Sequence, residues 1–422
     1  MRELFLKIFK IFSAQVVAAV CMGIILLLTA RSLGPYGRGI IATLVAFSTL
    51  VARLVSMSLG VIVISENQGG IDRKQLAHHF SIVLSYSLIA IGVTLLISIV
   101  FYHFDFYQIF SEISLQDFVA GIIAIPFLLW EEYASNFLTS LNRVETYNRN
   151  MVEGRLLGLL AIVVLMLSGY LTITSTLLVL CGVRVYASAA GWVITRKVLQ
   201  QKLSFTLKGI MPILLDGMKL HLMPLGILLL SNADILLVKS FCGLAVTGQY
   251  QFASQITTLI LLAVHAASMV FMSKLSEAPA HEIWQRYRGT IYLFIMSVVV
   301  MAVMFGMITP MLIATFVGPE FTQAGTLFLW MLAPMILKSI SLILTHQWVG
   351  RKLYWQASVV TVLIGAINIV LALILLPMYG VVGAIVAAAV AYAVSMLLNI
   401  AMIYLSNRSV ARMKMQLREE QT

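Results

Sequence analysis

Arg53, Glu131, Glu132, Arg184, Asp234, His265 and Lys338 are ionisable residues set inside stretches of sequence that are otherwise apolar enough to cross a bilayer. A charge held against lipid is costly, so such residues face a cavity or a partner, and their types define what that cavity can do. A guanidinium is planar and permanently charged, and it makes bidentate hydrogen bonds to a diphosphate. A buried carboxyl can carry a proton or pair with a cation, and an imidazole titrates near neutral pH. Arg53 shares its helical face with Ala46, Thr49, Ser56 and Gly60, while the opposite face reads Leu44, Val51, Val55 and Ile62. Small and polar neighbours suit a wet cavity; an arginine paired with an acid to lock two helices is the alternative. Glu132 lies on a face with Ser135, Asn136, Thr139 and Asn142. Its neighbour Glu131 points about 100° away and is the weaker candidate. Arg184 shares its face with Cys181, Ala187, Ser188 and Gly191. Asp234 follows Asn232 and suits a cation partner, and His265 reads either as a titrating group or as a packing residue.

Motifs for bond-breaking chemistry are missing. There is no phosphate loop ending in Gly-Lys-Ser/Thr, no His-Glu-x-x-His and no nucleophile elbow. The expectation is a protein that is not an enzyme, with no cofactor and no metal centre. Any work it does must draw on an H+ or Na+ gradient, on the membrane potential or on removal of product. Cys21, Cys181 and Cys242 have no metal-like spacing.

The elements that must position these residues are apolar stretches at 11–31, 39–64, 80–101, 117–141, 153–170, 172–195, 220–241, 248–273, 289–313, 321–344, 356–377 and 379–404, in a chain that is 61% hydrophobic. Each is long enough to cross a hydrocarbon core of roughly 30 Å as a helix. Alternate connections carry the positive charge: Lys7 and Lys10, Arg73 and Lys74, Arg143, Arg149 and Arg155, then Arg196 to Lys219, Lys274 to Arg288, Arg351 and Lys352, and the tail from Arg408. The intervening connections hold only Arg31, Arg38 and Lys239. The positive-inside rule therefore puts both termini in the cytoplasm. It also accounts for the net charge of +11 as juxtamembrane charge facing an anionic leaflet, which excludes nucleic acid as a partner. No connection is long enough to be a soluble domain.

An offset of about 207 residues brings the halves into register. Arg31 to Gly39 matches Lys239 to Gly248, Phe110 with Glu112 lies opposite Phe316 with Glu320, and Glu132 corresponds to Lys338. Two parallel six-helix lobes follow, 1–200 and 220–422, with 201–219 as a cytoplasmic linker and a cleft between the lobes. The linker reads either as an interfacial helix or as a loop running into an early start of the seventh span. Opposite charges at Glu132 and Lys338 invite a salt bridge that forms in one state and breaks in another; a permanent pair or unrelated placement is the alternative.

The segment Leu33-Gly34-Pro35-Tyr36-Gly37-Arg38-Gly39 resembles the turn between the first two helices of polysaccharide exporters and O-antigen (Wzx-type) flippases. Asn232-Ala233-Asp234 with Gly243 to Tyr250, Phe316 to Phe321, and Leu376 to Ala384 are similar to further segments of that family, in the same order. The resemblance implies an all-α integral membrane fold with about 12 spans in two lobes around a central cavity, like that of the multidrug and toxic compound extruders. It implies a flippase of the bacterial cytoplasmic membrane, with a polyprenyl-pyrophosphate-linked glycan and membrane lipid as partners. A polysaccharide polymerase and glycosyltransferases are candidate protein partners. On this reading Arg53, with Arg31, Arg184 or Lys338, holds the diphosphate, and Glu132, Glu131, Asp234 and His265 couple or gate. An ion-coupled exporter of amphipathic cations and a membrane enzyme acting on lipid-linked sugar are the rival expectations.

Overall fold

The computed structural model describes residues 2–66, 73–200, 204–275, 283–350 and 353–419. The described chain is helical throughout, without strands. Its first half runs α1 (Arg2–Ser56), α2 (Leu59–Glu66), α3 (Arg73–Phe104), α4 (Leu115–Ile122), α5 (Ile125–Ser140), α6 (Val144–Leu167) and α7 (Ile173–Leu199). The second half runs α8 (Ile210–Ser231), α9 (Ala233–Leu275), α10 (Ile283–Phe316), α11 (Thr322–Gly350), α12 (Tyr354–Tyr379) and α13 (Val381–Glu419).

Among the described residues, ten continuous helical segments are long and apolar enough to cross a membrane, and two of them are double. Ser13–Ser56 has 44 residues, about 66 Å of helix against a hydrocarbon core of roughly 30 Å. It is broken at Gly34 (φ 66°, ψ −179°), a left-handed-side conformation that glycine adopts without a Cβ clash. Met22 and Thr49 consequently line one cavity, although an unbroken helix would hold them about 40 Å apart. The same break recurs at Gly243 (φ 79°, ψ 173°). There Tyr250 hydrogen-bonds back to Asp234, a pair that unbroken helix would separate by about 24 Å. Reversal at both glycines gives twelve passes, and the matching dihedrals show the internal repeat at the level of backbone.

The first lobe is cored by an aromatic cluster. Phe47 meets Phe110 edge-on at 5.0 Å, and Phe80 meets Phe137 at 4.8 Å. Met57 and Ser58 take φ of 49° and 48°, so α1 stops at Ser56. The carbonyls freed by that stop accept from side chains: Tyr86 Oη donates to Val55 O (2.6 Å) and Tyr133 Oη donates to Ser56 O (2.9 Å). Arg53 is thereby fixed in the last turn of α1, beside α5.

One sequence expectation shifts, and one open alternative is decided. The fifth span begins at Val144 rather than near 153, so Arg149 and Arg155 belong to helix and not to a connection. Arg149 pairs with Glu153 one turn on (3.6 Å), which lets the helix continue beyond its apolar part. The described part of the segment 201–219 follows the second of its two readings, a loop running into an early start of the seventh span. α8 starts at Ile210, after Gly209 at φ 81°, and continues unbroken to Ser231, so Asp216, Lys219 and His221 ride on a membrane helix rather than on a separate interfacial one.

Candidate functional site

The site is built where α1, α5, α6 and α7 of the first half approach α9 of the second. Arg53 on α1 forms an ion pair with Glu132 on α5, and Arg184 on α7 pairs with Glu131 (2.6 Å). Consecutive glutamates point to different neighbours, as the 100° step along a helix requires, and each captures one arginine. The sequence ranked Glu131 below Glu132; the geometry gives both the same task. Arg53, Glu131, Glu132, Ser135, Tyr147 and Arg184 line a cavity of about 270 Å³. An adjoining cavity of about 90 Å³ shares Arg184 and adds Arg38, Arg155, Gln251 and Gln255. A third, of about 350 Å³, shares Arg155 and Gln255 and opens between α1, α6 and α9. Four arginines and two glutamates thus face these neighbouring cavities, leaving an excess of positive charge.

Sequence reasoning missed Arg38 and Arg155. Arg38 looked like a loop residue, yet its side chain is buried. Nη1 donates to Thr29 Oγ1 (3.1 Å) and Nη2 donates to Gln251 Oε1 (2.7 Å) and Gln255 Oε1 (3.3 Å), tying α1 to α9. Arg155 donates to Met22 Sδ (2.7 Å), a weak acceptor. The available signal for Arg38 was its position between Gly37 and Gly39, where small neighbours let another helix close over the guanidinium.

A separate polar cavity of about 100 Å³ lies wholly in the second half, lined by Asp234, Tyr250, Ser254, Thr257, Lys338 and Tyr392. Asp234 is buried and accepts from Tyr250 Oη and from the Ile235 amide (2.9 Å). Lys338 lies over the Tyr392 ring, 5.5 Å from its centroid, and acts electrostatically on Asp234 and on His265, which is itself exposed. The Glu132–Lys338 bridge suggested by the repeat is not formed, because Glu132 has Arg53 closer at hand on its own lobe. Arg31 is exposed and lines none of these cavities.

The halves are pressed together at the end where Gly34 and Gly243 turn. A β-carbon on Gly39 would lie 1.9 Å from Leu244 O, and one on Gly248 would lie 1.9 Å from Pro35 O. Lys239, buried on α9, donates to Gln108 O and Ser111 Oγ and sits 3.7 Å from Glu112, all between α3 and α4. At the opposite end Ser58 Oγ meets His221 Nδ1 at 2.9 Å.

A family model described as polysaccharide biosynthesis protein matches residues 4–278. The chain belongs to the polysaccharide biosynthesis protein family. This family member is similar in structure to the lipid II flippase MurJ in an inward closed conformation, with a TM-score of 0.74 and 15% identity over 93% of this chain and 87% of that one. It is also similar to a multidrug resistance MATE family transporter of the MOP superfamily. The inward-facing form gives a TM-score of 0.62 at 14% identity, covering 94% of both chains. The outward-facing form gives 0.61 at 13%, covering 96% of both. At these identities the likeness is one of fold: two lobes of membrane-spanning helices, as in the MOP superfamily. No curated protein sequence matches it significantly. The solved proteins that share this fold are a lipid II flippase and a multidrug transporter.

Proposed function

We propose that this protein is a flippase that carries a polyprenyl-pyrophosphate-linked oligosaccharide, the repeat unit of an O-antigen or another surface polysaccharide, from the cytoplasmic to the outer leaflet of the bacterial inner membrane by alternating access. The observation that carries the reading is the pair of adjoining cavities of the first half, one of them reaching Gln251 and Gln255 of the second, in which Arg38, Arg53, Arg155 and Arg184 outnumber Glu131 and Glu132. A diphosphate in a hydrocarbon slab needs fixed cations around it, and guanidinium groups supply both charge and matched donors. Arg53 and Arg184 are held by glutamates, so a phosphate oxygen exchanges with a carboxylate instead of meeting a bare charge. That exchange keeps binding moderate, which release on the far side requires. No bond of the cargo has to break. The sugar occupies the polar space and the lipid tail stays in the bilayer.

The positive-inside pattern puts both termini in the cytoplasm and the Gly34/Gly243 end outermost. The second cavity, with Asp234 and Lys338, is the place where an H+ or Na+ gradient would act, at a distance from the cargo. An amphipathic cation is a poor cargo for the first cavity, which would repel it. The test is flipping in liposomes that hold purified protein and a short-chain prenyl-diphosphate sugar. Protein-dependent exposure of the sugar in the opposite leaflet, unaffected by an excess of amphipathic cation, is expected; transport of the cation with a static glycolipid would overturn the reading.

A further inference from the structure

Arg38 is 4% exposed, and every partner its guanidinium has is neutral: a threonine hydroxyl and two glutamine carbonyl oxygens. Its Nε is buried with no hydrogen-bond partner. No carboxylate among the described residues lies within ion-pair distance of it, in contrast to Arg53 and Arg184. A buried cation without a counter-charge is among the most expensive arrangements a protein keeps, and amide oxygens do not neutralise it. Arg155 shares the cavity and is hydrogen-bonded only to a thioether sulfur. Arg38, which has no counter-charge, therefore lines one small space with Arg155 and Arg184, which share the one nearby carboxylate of Glu131; with an unused donor on Arg38, the missing component is an anion that accepts several N–H groups at once. An oxyanion of the phosphate class has that chemistry.

The neutral partners of Arg38 matter for a second reason. Thr29 is on its own helix, but Gln251 and Gln255 are on α9, across the seam that Gly39 and Gly248 close. The bonds that Arg38 would give up to an incoming anion are among those that join the two halves at this end, beside the bonds of Lys239 to Gln108 and Ser111.

We propose that Arg38, Arg155 and Arg184 form a diphosphate site, and that its occupation unlatches the seam between α1 and α9 by drawing Arg38 from Gln251 and Gln255. This rests on the flippase reading only for the origin of the diphosphate. The source is either a prenyl-diphosphate lipid headgroup or free pyrophosphate, and the two are separable by experiment.

Spin labels at Tyr36 and Phe241, both exposed near the seam, report its opening by double electron–electron resonance in nanodiscs. Geranylgeranyl diphosphate, inorganic pyrophosphate and geranylgeraniol are added in parallel. Wild type is expected to shift toward longer distances with at least one of the two diphosphates and not with the alcohol. A response to the prenyl compound alone assigns the site to a lipid headgroup, and a response to pyrophosphate assigns it to the free ion. Gln251→Ala/Gln255→Ala keeps the site but removes the latch, and should show the longer distances before any ligand is added. Arg38→Gln should show them too and lose the diphosphate response, while Arg38→Lys retains part of it. A seam indifferent to both diphosphates, or a full response in Arg38→Gln, overturns the proposal. Flipping that persists with an indifferent seam removes the latch alone; a responsive seam without flipping removes the flippase reading alone.

Discussion

Each of Arg53 and Arg184 is held by a neighbouring glutamate, and that pairing decides how substitutions should be read. If the Arg53–Glu132 pair only locks α1 to α5, removing both members relieves the uncompensated charge left by either single change. If Arg53 also holds phosphate, the double variant stays defective. Losing a charge-assisted bond costs about 1.5–3 kcal/mol, so Arg53→Ala should lower flipping roughly 10- to 100-fold, and Arg53→Ala/Glu132→Ala should recover thermal stability without recovering transport. Recovery of both would make the pair structural. Asp234→Asn keeps a side chain able to meet Tyr250 but removes the charge facing Lys338. Transport in vesicles with an imposed H+ or Na+ gradient should then lose its response to the gradient; an unchanged response would take Asp234 out of coupling. Most of the intramembrane charges were legible because charge inside an apolar run is conspicuous. Arg38 and Arg155 were not, since each lies at the edge of an apolar run, where a long side chain can reach inward or outward and sequence does not say which.

At the level of elements, the glycine turns are the features on which the fold depends. A valine at Gly248 would place its Cβ against Pro35 O, and backbone oxygen cannot move aside as a side chain does. Gly248→Val should force α1 and α9 apart, seen as thiol labelling of a cysteine introduced at Leu244, which is buried in wild type. Labelling no faster than in the Leu244→Cys single variant would show that the seam tolerates the extra volume. The second half is fastened by a buried polar network: Trp348 Nε1 donates to Asn399 Oδ1 (2.6 Å), and Asn399 Nδ2 reaches Ser341, Thr345 and Ser395 O. Asn399→Ala strands the indole N–H and should cost about 1–3 kcal/mol, measured as a lower unfolding midpoint; an unchanged midpoint would mean that water replaces the amide. Hydrophobic runs located the helices but not their ends. The fifth and seventh begin early because Arg149–Glu153 and Asp216–Lys219 pairs extend them past the apolar part, and a composition window reads such polar turns as loop.

Over the whole molecule, the offset between the halves was visible in glycine and charge spacing, and it returns as the paired breaks at Gly34 and Gly243. The repeat does not extend to charge. The first half carries arginines held by glutamates, whereas the second carries a lysine and an aspartate in a cavity of their own, so equal topology hosts unequal chemistry. That asymmetry suits a division of labour in which one half meets an anionic cargo and the other senses an ion. The resemblance carried by Leu33 to Gly39 located the family, but the chemistry of the cavity needed the helices in place, because Arg38 and Arg53 come from α1 whereas Arg155 and Arg184 come from α6 and α7, about a hundred residues on. The central claim is that this cavity moves a diphosphate-linked glycan between leaflets. Its most direct test is the leaflet distribution of lipid-linked oligosaccharide in cells that lack the gene, complemented by wild type or by Arg53→Ala. Accumulation on the cytoplasmic side, relieved by wild type and not by Arg53→Ala made at equal abundance, is the predicted result; a distribution that the deletion leaves unchanged, with no other flippase in the cell to replace it, would contradict the account.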